Sequence, residues 1–474
     1  MRQDLETLPA WRLAELLRSR EVSSVELTEH ALGRIERHNP ALNAFLTVAP
    51  EQALAAAREA DAVLASGAAL GPLHGVPIAI KDLSATKGIR TTYGSLLYKD
   101  RVPDADEPAV ERVRAAGAVI VGKTNTPEFG HRLITENLLG EPCRNPWDTA
   151  RTPGGSSGGS GAAVAARLVP LATGSDAGGS VRVPASFCGV YGIKPTAGRV
   201  AADYRRPGGW RRLSQGGPMA NDVRDAALLL GAMAGRDPRD ALSLRDTPPD
   251  FAAAVDAPDV RGLRIAFTED VDGAAVDPQV RGAVRRAAKA FEAMGARVEE
   301  AAPAVETVKS MELLMTLLLA DAAVELLPAL NIGLGAQMSP TLVEWADEAR
   351  SWPLTRYVSA LRDLEWRRSA IADLFDVYDL WLLPTMATTA FEVGALPERV
   401  DGREIDPRWE FSPFCMHANL AGNPAASVPC GFSDDGLPIG LQLVGRLGDE
   451  PTVLRASAAY EEAHPWAEVR PPGF

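Results

Sequence analysis

The chain has 474 residues, 46% of them hydrophobic and 23% charged, a composition of globular proteins rather than of disordered or fibrous ones. Its 49 basic residues stand against 62 acidic ones, a net charge of −13. Nucleic acid and anionic membranes both need clustered positive charge, so this balance argues against either as the main partner.

Residues 1–70 read as helices. Trp11, Leu13, Leu16 and Leu17 recur at helical spacing, and Ser23 to Glu26 has the Ser-x-x-Glu form of a capping box before a second amphipathic run that His38-Asn39-Pro40 is expected to stop. The acids Asp4 and Glu6 occupy a region where a secretory signal needs basic residues. Val76 to Ile80 and Ala118 to Val121 are short apolar stretches between glycines and polar residues, and a helical run from Ala109 to Ala116 precedes the second. Both read as buried strands of a helix-covered, at least partly parallel sheet. Glycine makes up 11 of the 45 residues from 154 to 198, so backbone geometry is being specified there; Ala162 to Leu168 reads as helix within it. Residues 201–217 read as a long loop, 222–234 and 276–294 as helices, and Leu263 to Phe267 as a strand. Met311 to Leu330 and Pro353 to Phe375 read as further helices, and Leu380 to Pro384 as a strand. The most apolar run, Leu313 to Ala320, is bounded by Glu312, Asp321 and Glu325, short of the roughly 18 residues of a membrane span. A soluble, cytoplasmic protein with no membrane partner is expected. Cys143, Cys188, Cys415 and Cys430 lack C-x-x-C spacing and read as reduced and mostly buried.

Two glycine motifs are decoys. Gly117 to Thr124 fits the phosphate-loop pattern, yet its four central residues are themselves the apolar strand and no helix follows. Gly154 to Gly158 fits the nucleophile elbow G-x-S-x-G, but a polar loop stands where that elbow needs a strand. A third motif, Gly174 to Pro184, puts two glycines before Ser180, which leaves consecutive N–H groups free to converge on one point.

Taken together, Gly154 to Gly161, Asp176 to Pro184 and Lys81 ending an apolar strand upstream resemble the amidase signature family. Leu73 to Asp82, Gly122 to Gly130, Phe187 to Thr196 and Asn419 to Ala425 look like further blocks of the same family, so the resemblance spans nearly the whole chain. It implies an α/β fold: a large mixed, mostly parallel β-sheet covered by helices on both faces. The chain is then one large domain, 1–474, with N-terminal helices in 1–70, a catalytic core in 71–200, a variable pocket segment in 201–380 and a return to the core sheet in 381–474.

The resemblance also implies a catalytic triad of Lys81, Ser156 and Ser180, with a cis peptide bond entering Ser156. The residue types agree with that chemistry. A buried lysine loses its charge to desolvation and becomes a base. Lys81 then takes a proton from Ser156, Ser156 takes one from Ser180, and Ser180 attacks the carbonyl carbon while the N–H groups of Ala177, Gly178, Gly179 and Ser180 hold the oxyanion. Ser156 returns the proton to the leaving nitrogen, and water clears the acyl-enzyme. Ser157, Asp176 and Arg182 are expected to support these loops; Lys123 and Lys194 read as structural. The scheme needs no cofactor and no metal, and the six histidines show no ligand spacing. His131 lies near the expected cleft and reads as packing or surface, with contact to substrate as the alternative.

Substrate should be met by Phe129 to Asn137, with Phe129, Ile134 and Thr135 as contact residues, and by 201–215, 311–338 and 385–414. Leucines and methionines in 311–338, with Trp409, Phe411 and Phe414, make those segments apolar. The expectation drawn from this is a hydrolase of hydrophobic or aryl amides, with anilides, carbamates and esters in reach. The partner is then a small-molecule amide or carbamate, with no nucleic acid, and the enzyme a monomer or homodimer. The alternative is the glutamine-hydrolysing A subunit of an amidotransferase, working with a tRNA-binding partner. In that branch a Ser-Leu-Asp-Gln-like stretch follows the glycine-rich window, where this chain has Leu213-Ser214-Gln215-Gly216. Whether the Arg-rich loop from Tyr204 to Arg212 closes over the site is left open.

Overall fold

A computed structural model describes residues 5–203 and 213–474; the Arg-rich stretch 204–212, expected as a loop, lies outside them. Its centre is an eleven-stranded sheet. In chain order the strands are β1 (Phe45–Val48), β2 (Pro77–Lys81), β3 (Val119–Thr124), β4 (Leu171–Asp176), β5 (Tyr191–Lys194), β6 (Gln215–Ala220), β7 (Arg264–Phe267), β8 (Arg297–Glu300) and β9 (Leu380–Pro384). A two-stranded ribbon, β10 (Arg399–Val400) and β11 (Arg403–Glu404), stands apart, and β12 (Ala425–Phe432) and β13 (Pro438–Gly445) complete the sheet. The spatial order is β1-β3-β2-β4-β6-β5-β12-β13-β9-β7-β8. The sheet is mixed, with a smaller parallel share than the alternation of helices and strands suggests. Only β3-β2-β4 and β9-β7-β8 run parallel, while the central strands from β4 to β9 pair antiparallel. One of these pairs has a local reason: β12 and β13 form a hairpin, and a connection that short permits only antiparallel pairing.

Helices cover both faces, and β2 shows why. Ile78 and Ile80 pack with Leu13 and Leu16 of the helix Ala10–Arg18 and Leu230 of Val223–Met233. Ala79 points the other way, onto Ala162 and Ala163 of the helix Gly158–Ala165. Buried on both sides, a strand must be apolar throughout, and each fully buried Ile contributes about 1.5–3 kcal/mol. The helix Thr307–Asn331 is long and apolar enough to cross a membrane, but half of it is buried against Pro340–Arg350 and Leu354–Phe375, so its apolar stripe is a core stripe.

Three local readings change. The Ser23–Glu26 capping box forms as expected, but its helix runs through Pro40 to Leu42, and Asn43 with φ 47° ends it. A proline in the last turn removes a donor without breaking the helix. β1 falls in the segment read as wholly helical. β6 begins inside the segment 201–217 read as loop and runs on to Ala220, since Gly216-Gly217-Pro218 suppresses strand propensity. Gly217 is required there, because a Cβ would stand 2.1 Å from the Ile193 carbonyl of the neighbouring strand.

Candidate active site

Lys81 is the last residue of β2 and, two positions after Ala79, shares its face. That face meets the glycine-rich loop before the helix Gly158–Ala165. Lys81 Nζ lies 2.7 Å from Ser156 Oγ, 3.0 Å from Ser175 Oγ and 3.2 Å from the Ser175 carbonyl. A neutral amine has two N–H donors and one lone pair, so it can give to the carbonyl and one hydroxyl while accepting from the other. The residue is 1% exposed. Burial pushes its pKa well below the usual lysine value, opposed by the negative charge of Asp176.

The serine loop is held from behind. The Gly155–Ser156 peptide bond is cis. A Cβ on Gly155 would stand 2.6 Å from the Ile134 nitrogen, so only glycine fits against that backbone. Thr135 Oγ1 donates to the Gly154 carbonyl at 2.8 Å and accepts from the Gly158 N–H at 3.2 Å. Ser157 joins the loops that carry Ser156 and Ser180: its N–H donates to the Ser180 carbonyl at 3.1 Å, and its hydroxyl sits 3.3 Å from both the N–H and the carbonyl of Ser175. The helix Gly158–Ala165 can approach this closely because Gly159 leaves room; a Cβ there would be 2.3 Å from the Asn125 nitrogen.

Ser180 follows β4 in a turn built around a buried ion pair. Arg182 Nη2 meets Asp176 Oδ1 at 2.8 Å and its Nε meets Oδ2 at 2.9 Å, a two-point contact. Asn419 Nδ2 reaches Asp176 Oδ1 at 2.9 Å, and the Cys415 carbonyl accepts from Arg182 Nη1 at 2.7 Å. Although burial alone would raise it, the Arg182 charge and these hydrogen bonds hold the Asp176 carboxyl below the usual range. Asp176 also accepts from Gly179 N at 2.7 Å and Val181 N at 3.1 Å, which pins the turn. One expected oxyanion donor changes as a result: the Gly179 N–H is committed to Asp176, whereas the N–H groups of Ala177, Gly178 and Ser180 make no such bond among the described residues. Gly179, at φ 128°, is the glycine this turn requires.

Ser180 opens onto a narrow inner cleft of about 30 Å³ lined by Gly130, His131, Arg132, Leu133, Leu314 and Trp409, among others. Beyond it lies a wider outer chamber of about 300 Å³, bounded by Met311, Trp345, Trp352, Trp409 and the charged Glu312, Glu348, Arg356, Asp406, Arg408 and Glu410. Met311 and Trp409 border both spaces.

The expected substrate contacts need correction. Thr135 spends its hydroxyl on the serine loop, Ile134 packs against Gly155, and Phe129 lies against the edge of Tyr98, so all three shape the wall from behind. Their neighbours from Gly130 to Leu133 line the cleft. His131 is buried, its pKa pushed down to about 3 by desolvation, and Nδ1 stays 2.7 Å from the Glu128 carbonyl. Lys123 bonds Thr86 and Thr91 hydroxyls at 2.9 and 3.0 Å, and Lys194 donates to the Pro195 carbonyl at 2.8 Å. Arg132 and Trp409 fall in the segments expected to meet substrate, Phe129 to Asn137 and 385–414, but the sequence does not single out Arg132, nor does it reveal the partnership of Asn419 with Asp176. The segment comes close to the serine loop at Gly130, where a Cβ would stand 3.2 Å from Ser156 Oγ. Among the described residues no group of three or more His, Cys, Asp or Glu side chains is arranged to hold a metal.

Comparison with known proteins agrees with this geometry. The Amidase family model matches residues 26–454. The A subunit of the glutamyl-tRNA(Gln) amidotransferase of Moorella thermoacetica is 41% identical over 99% of this chain and 99% of its own. Its counterpart from Thermosynechococcus vestitus is 39% identical over 95% of this chain and 97% of its own. Among solved structures, a bacterial aryl acylamidase of the amidase signature family superposes with a TM-score of 0.90 at 30% identity, covering 97% of both chains. The amidotransferase A subunit of Thermotoga maritima superposes at 0.80 with 32% identity, covering 98% of this chain and 97% of that one. These amidotransferase relatives overturn the expectation of hydrophobic or aryl amides and carbamates as substrate. They overturn equally the expectation of small-molecule partners alone, without nucleic acid, in a monomer or homodimer. The physical reason is visible in the helix Thr307–Asn331. Leu313, Leu317 and Leu326 are spent on its helical neighbours, Met311, Leu314 and Leu318 reach the inner cleft and Met315 and Leu319 the outer chamber, so much of the apolar stripe measures a core and not a substrate. The chain belongs to the amidase signature family and is an enzyme that acts on carbon–nitrogen bonds of amides other than peptide bonds.

Proposed function

We propose that this protein is the glutamine-hydrolysing component of an amidotransferase, working with partner subunits that present a glutamyl-tRNA. The observation that carries the reading is identity near 40% with amidotransferase A subunits, spread over essentially the full length of both chains. The narrowness of the inner cleft supports it. A space of about 30 Å³ at the nucleophile holds roughly two waters, which suits the flat carboxamide of an unbranched side chain.

In this reading Lys81, kept neutral by burial, accepts the proton of Ser156 as Ser156 accepts that of Ser180. Ser180 Oγ bonds to the carboxamide carbon of glutamine, and the N–H groups of Ala177, Gly178 and Ser180 face the developing oxyanion. Each such donor contributes on the order of a hundredfold or more in rate. Ser156 returns its proton to the nitrogen, the C–N bond breaks and ammonia leaves. Water activated by the same relay then releases glutamate and frees Ser180. The acidic surface of this chain leaves the binding of tRNA to the partner subunits. The chain departs from the branch pattern at Ser214-Gln215, where Gln215 spends its side-chain carbonyl on the Gly198 N–H at 2.9 Å.

The test is ammonia release from glutamine by the purified chain, alone and with amidotransferase partner subunits and glutamyl-tRNA. The reading predicts release, stimulated by the complete assembly and abolished by Ser180→Ala. No release under any of these conditions, with neutral amides still cleaved, would refute it.

A further inference from the structure

We infer that Arg132 binds a carboxylate carried by the substrate, so that the enzyme selects amides bearing an acid group a few bonds from the scissile carbonyl. The inference rests on the glutamine reading and deepens it, since glutamine carries its α-carboxylate four bonds from the carboxamide carbon.

Among the described residues lining the inner cleft, Arg132 carries the only charge; His131, the other ionisable group there, is neutral. Arg132 is half-buried, its side chain 28% exposed, and its ion pair with Glu136 is long, 3.8 Å. Glu136 is itself engaged, its other oxygen accepting from the Gly394 N–H at 3.2 Å. No hydrogen bond from the Arg132 guanidinium to a described residue closes its five donors. A half-desolvated guanidinium with unspent donors is costly to keep, and it is a planar fork shaped for a carboxylate. A bound carboxylate would replace the long contact with charge-assisted bonds near ~2.8 Å.

The arginines of the outer chamber are placed differently. Arg408 is spent on Asp406, which it grips through Nε and Nη2 at 3.0 and 2.6 Å, and Arg356 is exposed to solvent, stacked 3.7 Å above the Trp352 ring. With Glu312, Glu348, Glu410 and Asp406 around them, that chamber is acidic on balance. It repels a carboxylate and suits the α-ammonium of an amino acid. The charge pattern, one cation beside the nucleophile and acids outside, matches a zwitterionic substrate lying with its amide inward.

Two measurements test this. In steady-state ammonia release, Arg132→Leu should raise the KM for glutamine about tenfold or more while kcat moves much less. The KM for butyramide, which lacks the acid, should stay unchanged, and Arg132→Lys should recover part of the loss. An unchanged KM for glutamine, or equal weakening of both substrates, would overturn the inference. The second measurement does not depend on turnover. Glutarate should slow fluorophosphonate labelling of Ser180 in wild type, where neutral 1,5-pentanediol does not, and should lose that effect in the Arg132 variants. If the two compounds protect wild type alike, Arg132 reads no carboxylate, whether or not Arg132→Leu folds. Protection by glutarate without ammonia from glutamine would instead keep Arg132 as an acid anchor and discard glutamine as the substrate.

Discussion

At the scale of single residues, the chain has seven lysines against 42 arginines, and the three buried in its core sit at or next to the ends of strands β2, β3 and β5. Arginine could pack at such sites but stays charged, so Lys81 is where the difference matters. With its pKa lowered by burial, the protonated, inactive form prevails at low pH, and kcat/KM should rise with pH as Lys81 loses its proton. Lys81→Ala should lower the rate by roughly a hundredfold to ten-thousandfold and remove that rise. A variant whose pH profile matches wild type would place the base elsewhere. Burial also lowers Lys123 and Lys194, to about 8 and about 7, but both are tied to the chain by their own hydrogen bonds and face neither Ser156 nor Ser180 in those contacts. The triad is legible in the sequence only through the resemblance to the amidase signature family; alone, a lysine ending a strand and serines in glycine-rich turns do not declare a proton relay. Arg132 is not legible there. Nothing within a few residues of it distinguishes a cleft arginine from a surface one, and only the arrival of Leu314 and Trp409 from distant segments makes a cleft there.

At the scale of elements, small residues decide how closely the pieces of the site approach. The helix Gly158–Ala165 is buried at every position and has almost no side chains to pack, so contact is made by backbone against backbone. Gly159→Ala should therefore cost more than about 3 kcal/mol, because the methyl group meets the backbone of Asn125 and Ala44, which cannot swing aside. Gly33, inside the helix Ser24–Leu42 with open space around it, is the control: Gly33→Ala should stabilise by about 0.5–1 kcal/mol. Urea unfolding of the two variants checks both signs, and equal effects would mean that close packing does not set the position of this helix. Strands with a plain apolar pattern, β2, β3, β7 and β9, can be read from sequence, since burial on two faces imposes that pattern. β6 cannot, because its glycines answer to a neighbouring strand 20 or more residues away in sequence.

At the scale of the whole molecule, a net charge of −13 still argues that this surface does not hold nucleic acid by itself. It says nothing about other subunits that do, so in the proposed reading the tRNA is held by partner subunits and not by this chain. The apolar stripe from 311 to 338 misleads for a parallel reason: periodicity reports burial without saying whether another helix or a ligand does the burying. The claim that joins these scales is that Ser180 becomes acylated by glutamine. Rapid quenching of the enzyme with glutamine, followed by mass spectrometry of its peptides, tests this directly. The account predicts one γ-glutamyl unit on the peptide carrying Ser180, absent in Ser180→Ala; an adduct on another residue, or undiminished ammonia release by Ser180→Ala, would contradict it.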